Sequence, residues 1–311
     1  MSEETSLHER LTRGPTILID GGTGTEIERK GATMHPGAWS AQANLLDPDI
    51  VRGVHRSYLD AGAEIIVANT YPANFHIMVS SGLEDEFEPA NRQALRLAFE
   101  ARGEYREVNP DRPIWVAGSM STTTFSHGLD ASVIEGAGPA REGYRAQARI
   151  IAEEGVDLII LEMMRDVRET ALCLNAALET GLPVWLGMSA EHDQSGRLTL
   201  FGSSDPFAEG IEAILDQSGT PQAVGVMHTE VTITPEAIGE VAELWDRPLF
   251  AYPHHGIFEM PHWRFDNTLT PEEFSEAALG WLDLGVSAVG GCCGIRPEHI
   301  AALGRRLAAS G

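Results

Sequence analysis

Eight short apolar segments alternate with helical segments along the chain, and this alternation constrains the fold more than any other feature. The segments cover residues 16–20, 64–68, 114–118, 156–161, 183–188, 223–227, 248–252 and 286–290. They are apolar throughout rather than at alternate positions, which indicates strands buried on both faces, as in parallel sheets. Eight such units, with no composition break, predict an α/β fold with a single (β/α)8 TIM barrel as one domain over residues 1–311. A doubly wound open sheet is the alternative.

Polar residues follow or end most of these apolar strands. They are Asp20, Asn69, Ser119, Glu162, Ser189, His228, Tyr252, His254, Cys292 and Cys293. In a (β/α)8 barrel the carboxyl ends of the strands meet at one face, where the active site lies. Packing alone does not explain so many polar groups at strand ends. The sequence therefore predicts that they converge on one site.

The pentapeptide Gly-Gly-Cys-Cys-Gly at residues 290–294 is the most distinctive of these strand ends. Neighbouring side chains of a regular strand point to opposite faces, so two adjacent thiols face one point only where the backbone leaves the pleat. The flanking glycines allow that departure at little steric cost. The segment suits a metal site, but a buried pair of small residues and a vicinal disulfide are alternatives that it leaves open.

A catalytic zinc site uses three protein ligands and leaves a fourth position open. The remaining cysteine, Cys173, lies among apolar residues of a predicted helix and is interpreted as a core residue. The third ligand is then expected to be a histidine. We predict His228, because it ends the sixth strand, with His254 and His255 as rivals. Such a site can bind and ionise a thiol, or it can activate water for hydrolysis.

The first strand ends in a glycine-rich turn, Asp20-Gly21-Gly22, followed by a predicted loop that reaches residue 44. The turn is interpreted either as a close backbone approach to a small ligand or as a tight turn. Metal-dependent hydrolase barrels carry a His-x-His pair at this place, which speaks against hydrolysis here. The carboxylates of Asp20 and Glu162 suit the ammonium group of an amino-acid substrate, and a structural salt bridge is the alternative for Glu162.

Composition excludes several other functions. The net charge of −24 argues against nucleic acid and anionic membranes as partners, and adaptation of the surface to salt is the preferred interpretation of this charge. There is no apolar run of about 18 residues, so no membrane-spanning segment is expected. Three cysteines and a polar, acidic N-terminus predict a cytoplasmic protein. Lys30 is the only lysine and lies in the glycine-rich region, so Schiff-base catalysis is not expected.

Several runs of the sequence resemble the homocysteine S-methyltransferase family. They are residues 19–26, Trp39-Ser40, parts of 55–63, Asn69-Thr70-Tyr71, parts of 155–162 and residues 290–299. The resemblance implies a (β/α)8 barrel with a zinc cofactor. It also implies transfer of a methyl group from a sulfonium or ammonium donor, such as S-methylmethionine or betaine, to the zinc-bound thiolate of homocysteine, giving methionine. The partners are then a small thiol acceptor and an onium donor, with a homo-oligomer as a further possibility.

The resemblance also assigns residues. Cys292 and Cys293 match the paired zinc ligands of the family, and no catalytic group is expected beyond the metal site. The substrate-binding positions are matched by Asp20, Gly21, Ser40, Asn69 and Glu162.

The sequence departs from the family pattern where the family has its third zinc cysteine. That cysteine ends a Gly-Val-Asn-Cys run, which here is Gly225-Val226-Met227-His228. His228 is therefore the expected third metal ligand. The alternative is a family member repurposed to another acceptor, or to non-catalytic zinc or thiol binding.

Overall fold

The computed structural model describes residues 6–122, 137–259, 262–264 and 269–310. The strands are β1 (Ile17–Leu18), β2 (Ile65–Val67), β3 (Trp115–Met120), β4 (Leu158–Met164), β5 (Val184–Met188), β6 (Ala190–His192), β7 (Leu198–Leu200), β8 (Ala223–Glu230), β9 (Leu249–His254), β10 (Ile257–Glu259), β11 (His262–Arg264) and β12 (Val286–Val289). The helices are α1 (Leu7–Arg13), α2 (Thr23–Arg29), α3 (Ala43–Leu46), α4 (Pro48–Ala61), α5 (Phe75–Ser80), α6 (Phe87–Val108), α7 (Ala137–Glu153), α8 (Val167–Leu178), α9 (Phe207–Asp216), α10 (Thr234–Leu244), α11 (Pro271–Leu282) and α12 (Pro297–Ser310).

Eight of these strands form one parallel sheet in the order β1-β12-β9-β8-β5-β4-β3-β2. The two edge strands meet through a parallel bridge between Ile19 and Ile65, and the Asp20 amide donates to the Ile65 carbonyl at 3.0 Å. The sheet is thus rolled into a barrel, and at least one helix follows each of its strands. This confirms the predicted (β/α)8 barrel and rules out the open, doubly wound sheet. The antiparallel pairs β6–β7 and β10–β11 are additions after β5 and β9.

The two faces of the barrel strands belong to different parts of the core. In β2, Ile65 and Val67 lie in the cluster that fills the barrel, whereas Ile66 packs outward with the helices. Trp185 and Phe250 fill the barrel interior, with ring centroids 5.4 Å apart. Because both faces are buried, the strands carry apolar residues throughout.

The helices begin and end at residues suited to those positions. In α4, Pro48 occupies the first turn and Gly62 ends the helix with φ of 111°, a conformation that favours glycine. In α11, Thr270 and Glu273 form a reciprocal capping box ahead of the apolar face. None of the helices in the described part of the chain has the length and apolarity needed to cross a membrane.

Candidate metal centre and substrate pocket

A pocket opens at the carboxyl ends of the barrel strands. Its wall combines backbone of the glycine-rich turn with polar, aromatic and sulfur-containing side chains. The lining residues are Gly21, Gly22, Thr23, Gly24, Trp39, Val67, Ala68, Asn69, Tyr71, Pro72, Glu162, Met163, Met227, His228, Tyr252, Cys292 and Cys293.

The turn that carries Cys292 and Cys293 is tied to the neighbouring strands by backbone hydrogen bonds. The Gly291 amide donates to the Asp20 carbonyl at 3.1 Å, and the Cys292 amide donates to the Pro253 carbonyl at 2.6 Å. A Cβ atom on Gly22 would lie 2.7 Å from the Cys292 carbonyl oxygen and 3.0 Å from the Cys293 Cα. Only glycine allows this close approach. The turn after β1 therefore supports the Cys-Cys turn directly.

His228 reaches the pocket because β8 is irregular at its carboxyl end. The pairing of β8 with β9 shifts register between Met227 and Glu230, and His228 has φ of 48°. The Met227 carbonyl accepts hydrogen bonds from the hydroxyls of Ser189 at 2.7 Å and Thr229 at 3.2 Å. A β-bulge of this kind re-aims a side chain at the rim of a barrel.

The structure brings His228, Cys292 and Cys293 together. The two Sγ atoms are 3.7 Å apart, and Cys292 Sγ is also 3.7 Å from His228 Nδ1. One ligand atom from each residue lies within 4.8 Å of the other two. In a tetrahedral zinc site, sulfur atoms are about 3.8 Å apart, and sulfur and nitrogen about 3.6 Å. The donor types and the two measured edges therefore fit a zinc ion, and the three side chains leave one position of a tetrahedron open.

The rival histidines occupy other positions. The His255 ring accepts a hydrogen bond from the Leu269 amide at 2.8 Å, which gives it a structural partner. The His254 ring packs on that of His228, with centroids 4.5 Å apart. Within the described residues, neither joins the cluster of potential ligands. Cys173 is fully buried in α8, as the sequence predicted.

Burial controls the protonation of the cluster. It lowers the pKa of His228 well below the ordinary value, and His254 and Arg165 lower this pKa further. The imidazole is therefore neutral at physiological pH, which is the form that binds metals. Burial raises the pKa of the Cys293 thiol in the metal-free protein, with Cys292 adding to the effect.

Asp20 lies directly behind the pocket wall, where it is fully buried. Its carboxylate accepts hydrogen bonds from the Val67 amide and from the Tyr252 hydroxyl, both at 2.8 Å. The Tyr252 hydroxyl also lies 2.8 Å from the Gly21 carbonyl. Burial is the main reason that the pKa of Asp20 is raised well above its usual range. In this arrangement Asp20 holds the ends of β2 and β9 in place behind the pocket.

Glu162 lies on the pocket wall, where β4 has an irregularity of its own. The pairing of β4 with β5 shifts register between Leu161 and Met164, and Met163 has φ of 55°. Burial raises the pKa of Glu162 to about 7, against a smaller opposing effect of Ser119. A bound cation would offset this cost of burial and favour the ionised carboxylate.

Asn69 and Ser40 form one buried hydrogen-bond network. The Ser40 hydroxyl donates to Asn69 Oδ1, and Asn69 Nδ2 donates to the Ser40 carbonyl and to Asn44 Oδ1, each at 2.9 Å. Asn69 contributes to the pocket wall, whereas Ser40 lies behind it. Ser40 therefore fixes the orientation of Asn69.

The sequence alone assigned no role to several residues of the wall. Trp39, with φ of 46°, packs its indole against Gly24, where a Cβ atom would lie 2.5 Å from Trp39 Cζ3. The Tyr71 hydroxyl lies 3.0 Å from the Met163 sulfur. Trp39 and Tyr71 belong to the runs that resemble the family, but only the structure places them on the pocket wall. The signal that distinguishes Trp39, Met163 and His228 is their positive φ, which a sequence does not display.

Comparison with known proteins adds four findings. The family described as homocysteine S-methyltransferase matches the chain over residues 17–307. A selenocysteine Se-methyltransferase of Brassica oleracea var. italica is 29% identical over 94% of this chain and 89% of its own length. Homocysteine S-methyltransferase 2 of Arabidopsis thaliana is 28% identical over 94% of this chain and 93% of its own length. The crystal structure of the homocysteine methyltransferase MmuM from Escherichia coli in its metallated form has a TM-score of 0.75 at 22% identity. That match covers 94% of this chain and 97% of the MmuM chain, and it shows a shared fold.

Proposed function

The chain belongs to the homocysteine S-methyltransferase family, whose members are methyltransferases, and we propose that it moves a methyl group from an onium donor to the thiol of homocysteine. The product is methionine, and the setting is methionine synthesis in the cytoplasm, which the three free cysteines suit. The observation that carries the proposal is the cluster of His228, Cys292 and Cys293 in a pocket that also contains Glu162.

We propose zinc as the metal that this cluster holds. Two sulfur ligands and one nitrogen ligand at these separations match the preferences of zinc, and an open fourth position is typical of catalytic sites. When bound, zinc acts as a Lewis acid that favours the ionised, nucleophilic form of an acceptor thiol. His228 supplies a neutral donor where the family pattern has a third thiolate, so the three side chains carry two negative charges instead of three.

The acceptor is proposed to bind with its ammonium group at Glu162. The carboxylate is already buried, and its pKa near 7 leaves it ready to ionise fully beside a cation. Asn69 is held rigidly by Ser40 and Asn44, so its amide can orient the amino-acid end of the acceptor. The thiol end then points toward Cys292 and Cys293. This arrangement selects a thiol that carries an amino-acid group.

The donor is proposed to be a sulfonium or quaternary ammonium compound, such as S-methylmethionine or betaine. Trp39 and Tyr71 line the pocket, and aromatic faces attract desolvated cations. In the reaction, a bond forms between the acceptor sulfur and the methyl carbon while the bond from that carbon to the onium atom breaks. The onium atom keeps the electron pair and leaves as a neutral thioether or tertiary amine. The protein orients the two substrates, excludes water and keeps the thiol ionised.

A turnover assay on zinc-loaded protein tests the proposal. Homocysteine labelled in its carbon skeleton is combined separately with S-methylmethionine, betaine and a dimethylsulfonio donor, and labelled methionine is followed by mass spectrometry. The label is on the acceptor because S-methylmethionine itself becomes methionine when it loses a methyl group. We expect labelled methionine with at least one donor. If no donor gives labelled methionine while selenocysteine or a thiol other than homocysteine is methylated, the acceptor assignment is wrong. Zinc binding without any methyl transfer would favour a repurposed, non-catalytic member of the family.

A further inference from the structure

His254 is a buried histidine at the end of β9 that the proposed chemistry does not use. Its ring lies against that of His228, with centroids 4.5 Å apart and an angle of 36° between the planes. It also forms a hydrogen bond with the His228 backbone. His254 thus contacts both the ring and the main chain of one proposed metal ligand.

His228 needs such support because its conformation is unfavourable for a residue with a side chain. Its φ of 48° is in the left-handed region, which only a few per cent of non-glycine residues adopt, although histidine does so more often than most. Such a conformation persists only where the surrounding structure holds it in place. The hydroxyls of Ser189 and Thr229 fix the Met227 carbonyl ahead of His228. His254 forms its hydrogen bond with the backbone of the next residue, His228 itself.

A second ring contact restricts the imidazole. Phe201, which follows the β6–β7 hairpin, meets the His228 ring edge to face, with centroids 5.5 Å apart and an angle of 82°. Phe201 is held by a hydrogen bond from its amide to the Ser189 carbonyl at 2.9 Å. Contacts with Phe201 and His254 together fix the plane of the ring, so that Nδ1 lies 3.7 Å from Cys292 Sγ.

We infer that His254 is a positioning residue for the metal site, one that keeps the His228 imidazole directed at Cys292. Its role is distinct from that of a ligand, because no nitrogen of His254 joins the cluster formed by His228, Cys292 and Cys293. The inference rests on the proposed zinc site. Partners that orient a metal-binding histidine typically contribute about 10–100-fold in metal affinity.

Two substitutions separate the contacts that His254 makes. His254→Phe keeps a ring against His228 but removes the hydrogen bond, whereas His254→Gln keeps a hydrogen-bond donor without the ring. His192→Gln is the control, because His192 is partly exposed and pairs with Glu236 rather than with the site. Zinc affinity is measured by competition with a chromogenic chelator. The geometry is measured from the visible absorption of the Co²⁺-substituted protein, and folding from circular dichroism.

We expect His254→Phe to weaken zinc binding about 10–100-fold and to shift the Co²⁺ bands, with a smaller effect for His254→Gln and none for His192→Gln. Folded His254 variants with wild-type affinity and an unchanged Co²⁺ spectrum would overturn the inference while leaving the proposed function intact. A loss as large as that of His228→Ala would make His254 a ligand and also overturn it. If the wild-type protein does not bind zinc, the proposed zinc site fails first and the inference fails with it.

Discussion

The Sγ atom of Cys292 lies 3.7 Å from Nδ1 of His228, although 64 positions separate the two residues and β9 lies between their strands. The barrel and two local distortions produce this approach. The glycines that flank Cys292 and Cys293 let both thiols leave the pleat, and the bulge in β8 turns His228 inward. The candidate metal centre is therefore a property of the strand ends and not of any one segment.

Removing His228 should abolish tight zinc binding. With His228→Ala the two thiols remain. The nitrogen ligand is lost, and with it the one member of the cluster that β8 supplies. Because loss of an outer partner alone costs about 10–100-fold in affinity, we expect loss of the ligand to exceed about 100-fold. The measurement is chelator competition combined with elemental analysis of zinc after dialysis.

Cys173→Ala is the control, because it changes to alanine a potential metal ligand that lies outside the cluster, buried in α8. It should keep the wild-type zinc stoichiometry. Unchanged affinity in His228→Ala would move the third ligand elsewhere, and His254 would then be the first residue to test.

His228→Cys should retain zinc and change the kinetics in a defined direction. A third thiolate adds one negative charge to the ligand set, which weakens attraction of an acceptor thiolate but leaves it a stronger nucleophile. We expect a higher KM for the acceptor, by about 3–10-fold, together with a kcat at or above that of the wild type. Steady-state kinetics with saturating donor measure both. A fall in kcat with an unchanged KM would mean that the charge of the third ligand does not tune the thiolate.

The barrel was predictable from sequence because burial on both faces makes each strand an uninterrupted apolar segment. Each of the eight predicted segments contains or overlaps one strand of the parallel sheet. The short helix α2 and the two antiparallel hairpins were not predicted. The sequence indicated only a loop before residue 44, because α2 begins within the glycine-rich stretch at Thr23. Glycine at the start of this helix serves the close approach to Cys292, which depends on contacts distant in sequence.

The residues alone predicted the site as a set of strand ends, and the family resemblance assigned roles to some of them. Strand-end position placed His228, Cys292 and Cys293 on one face of the barrel, and the structure brings them into one cluster. What the sequence could not show is which residues line the pocket and which support it from behind. Asp20 and Ser40 lie behind the wall, where their side chains form hydrogen bonds with other residues of the protein.

Gly22→Ala should weaken the metal site without disturbing the backbone conformation at that residue. Gly22 has φ of −66°, which alanine adopts readily. The added methyl group, however, would lie 2.7 Å from the Cys292 carbonyl oxygen and 3.0 Å from the Cys293 Cα, both main-chain atoms. We expect a loss of about 1–3 kcal/mol in the free energy of unfolding and at least about 10-fold weaker zinc binding.

Gly53→Ala is the control for this substitution. Gly53 lies within α4, and a Cβ atom there would meet nothing within 4 Å. Alanine should raise the free energy of unfolding by up to about 1 kcal/mol, because glycine weakens a helix interior. Urea denaturation of the zinc-loaded and zinc-free proteins measures both variants. Equal behaviour of the two variants would show that the turn at Gly22 adapts to the methyl group.

Added salt should stabilise the protein. Even if each of the 22 basic residues were paired with one acidic residue, 24 of the 46 acidic residues would remain unpaired. Repulsion among these charges disfavours the compact state, and about 1 M salt shortens the screening length to about 3 Å. We expect Tm to rise by about 5 °C or more between 0.1 and 1 M KCl. A parallel series in sucrose, which is excluded from the protein surface but screens no charge, separates the two causes of stabilisation. A Tm that is independent of KCl would contradict the prediction.

Glu162→Gln should remove one pH-dependent step from acceptor binding. Burial raises the pKa of Glu162 to about 7, so in the free protein the carboxyl group becomes protonated as the pH falls below that value. The protonated group no longer attracts the acceptor ammonium, and kcat/KM for homocysteine should therefore decrease about tenfold per pH unit below pH 7. At higher pH, Glu162→Gln should lower kcat/KM by about 10–100-fold, since hydrogen bonds to charged groups contribute about 1.5–3 kcal/mol. It should also flatten the acid limb of the profile.

The control for this effect is Glu230→Gln, which changes an exposed glutamate at the end of β8 that is not on the pocket wall. Its pH profile should match that of the wild type. The profile is recorded between pH 5.5 and 8.5 with saturating donor and zinc-loaded protein. Burial lowers the pKa of His228 well below its ordinary value, so His228 becomes protonated only at a lower pH than Glu162 does. An acid limb below pH 7 that is the same in Glu162→Gln as in the wild type would therefore exclude Glu162 as the group that binds the acceptor ammonium.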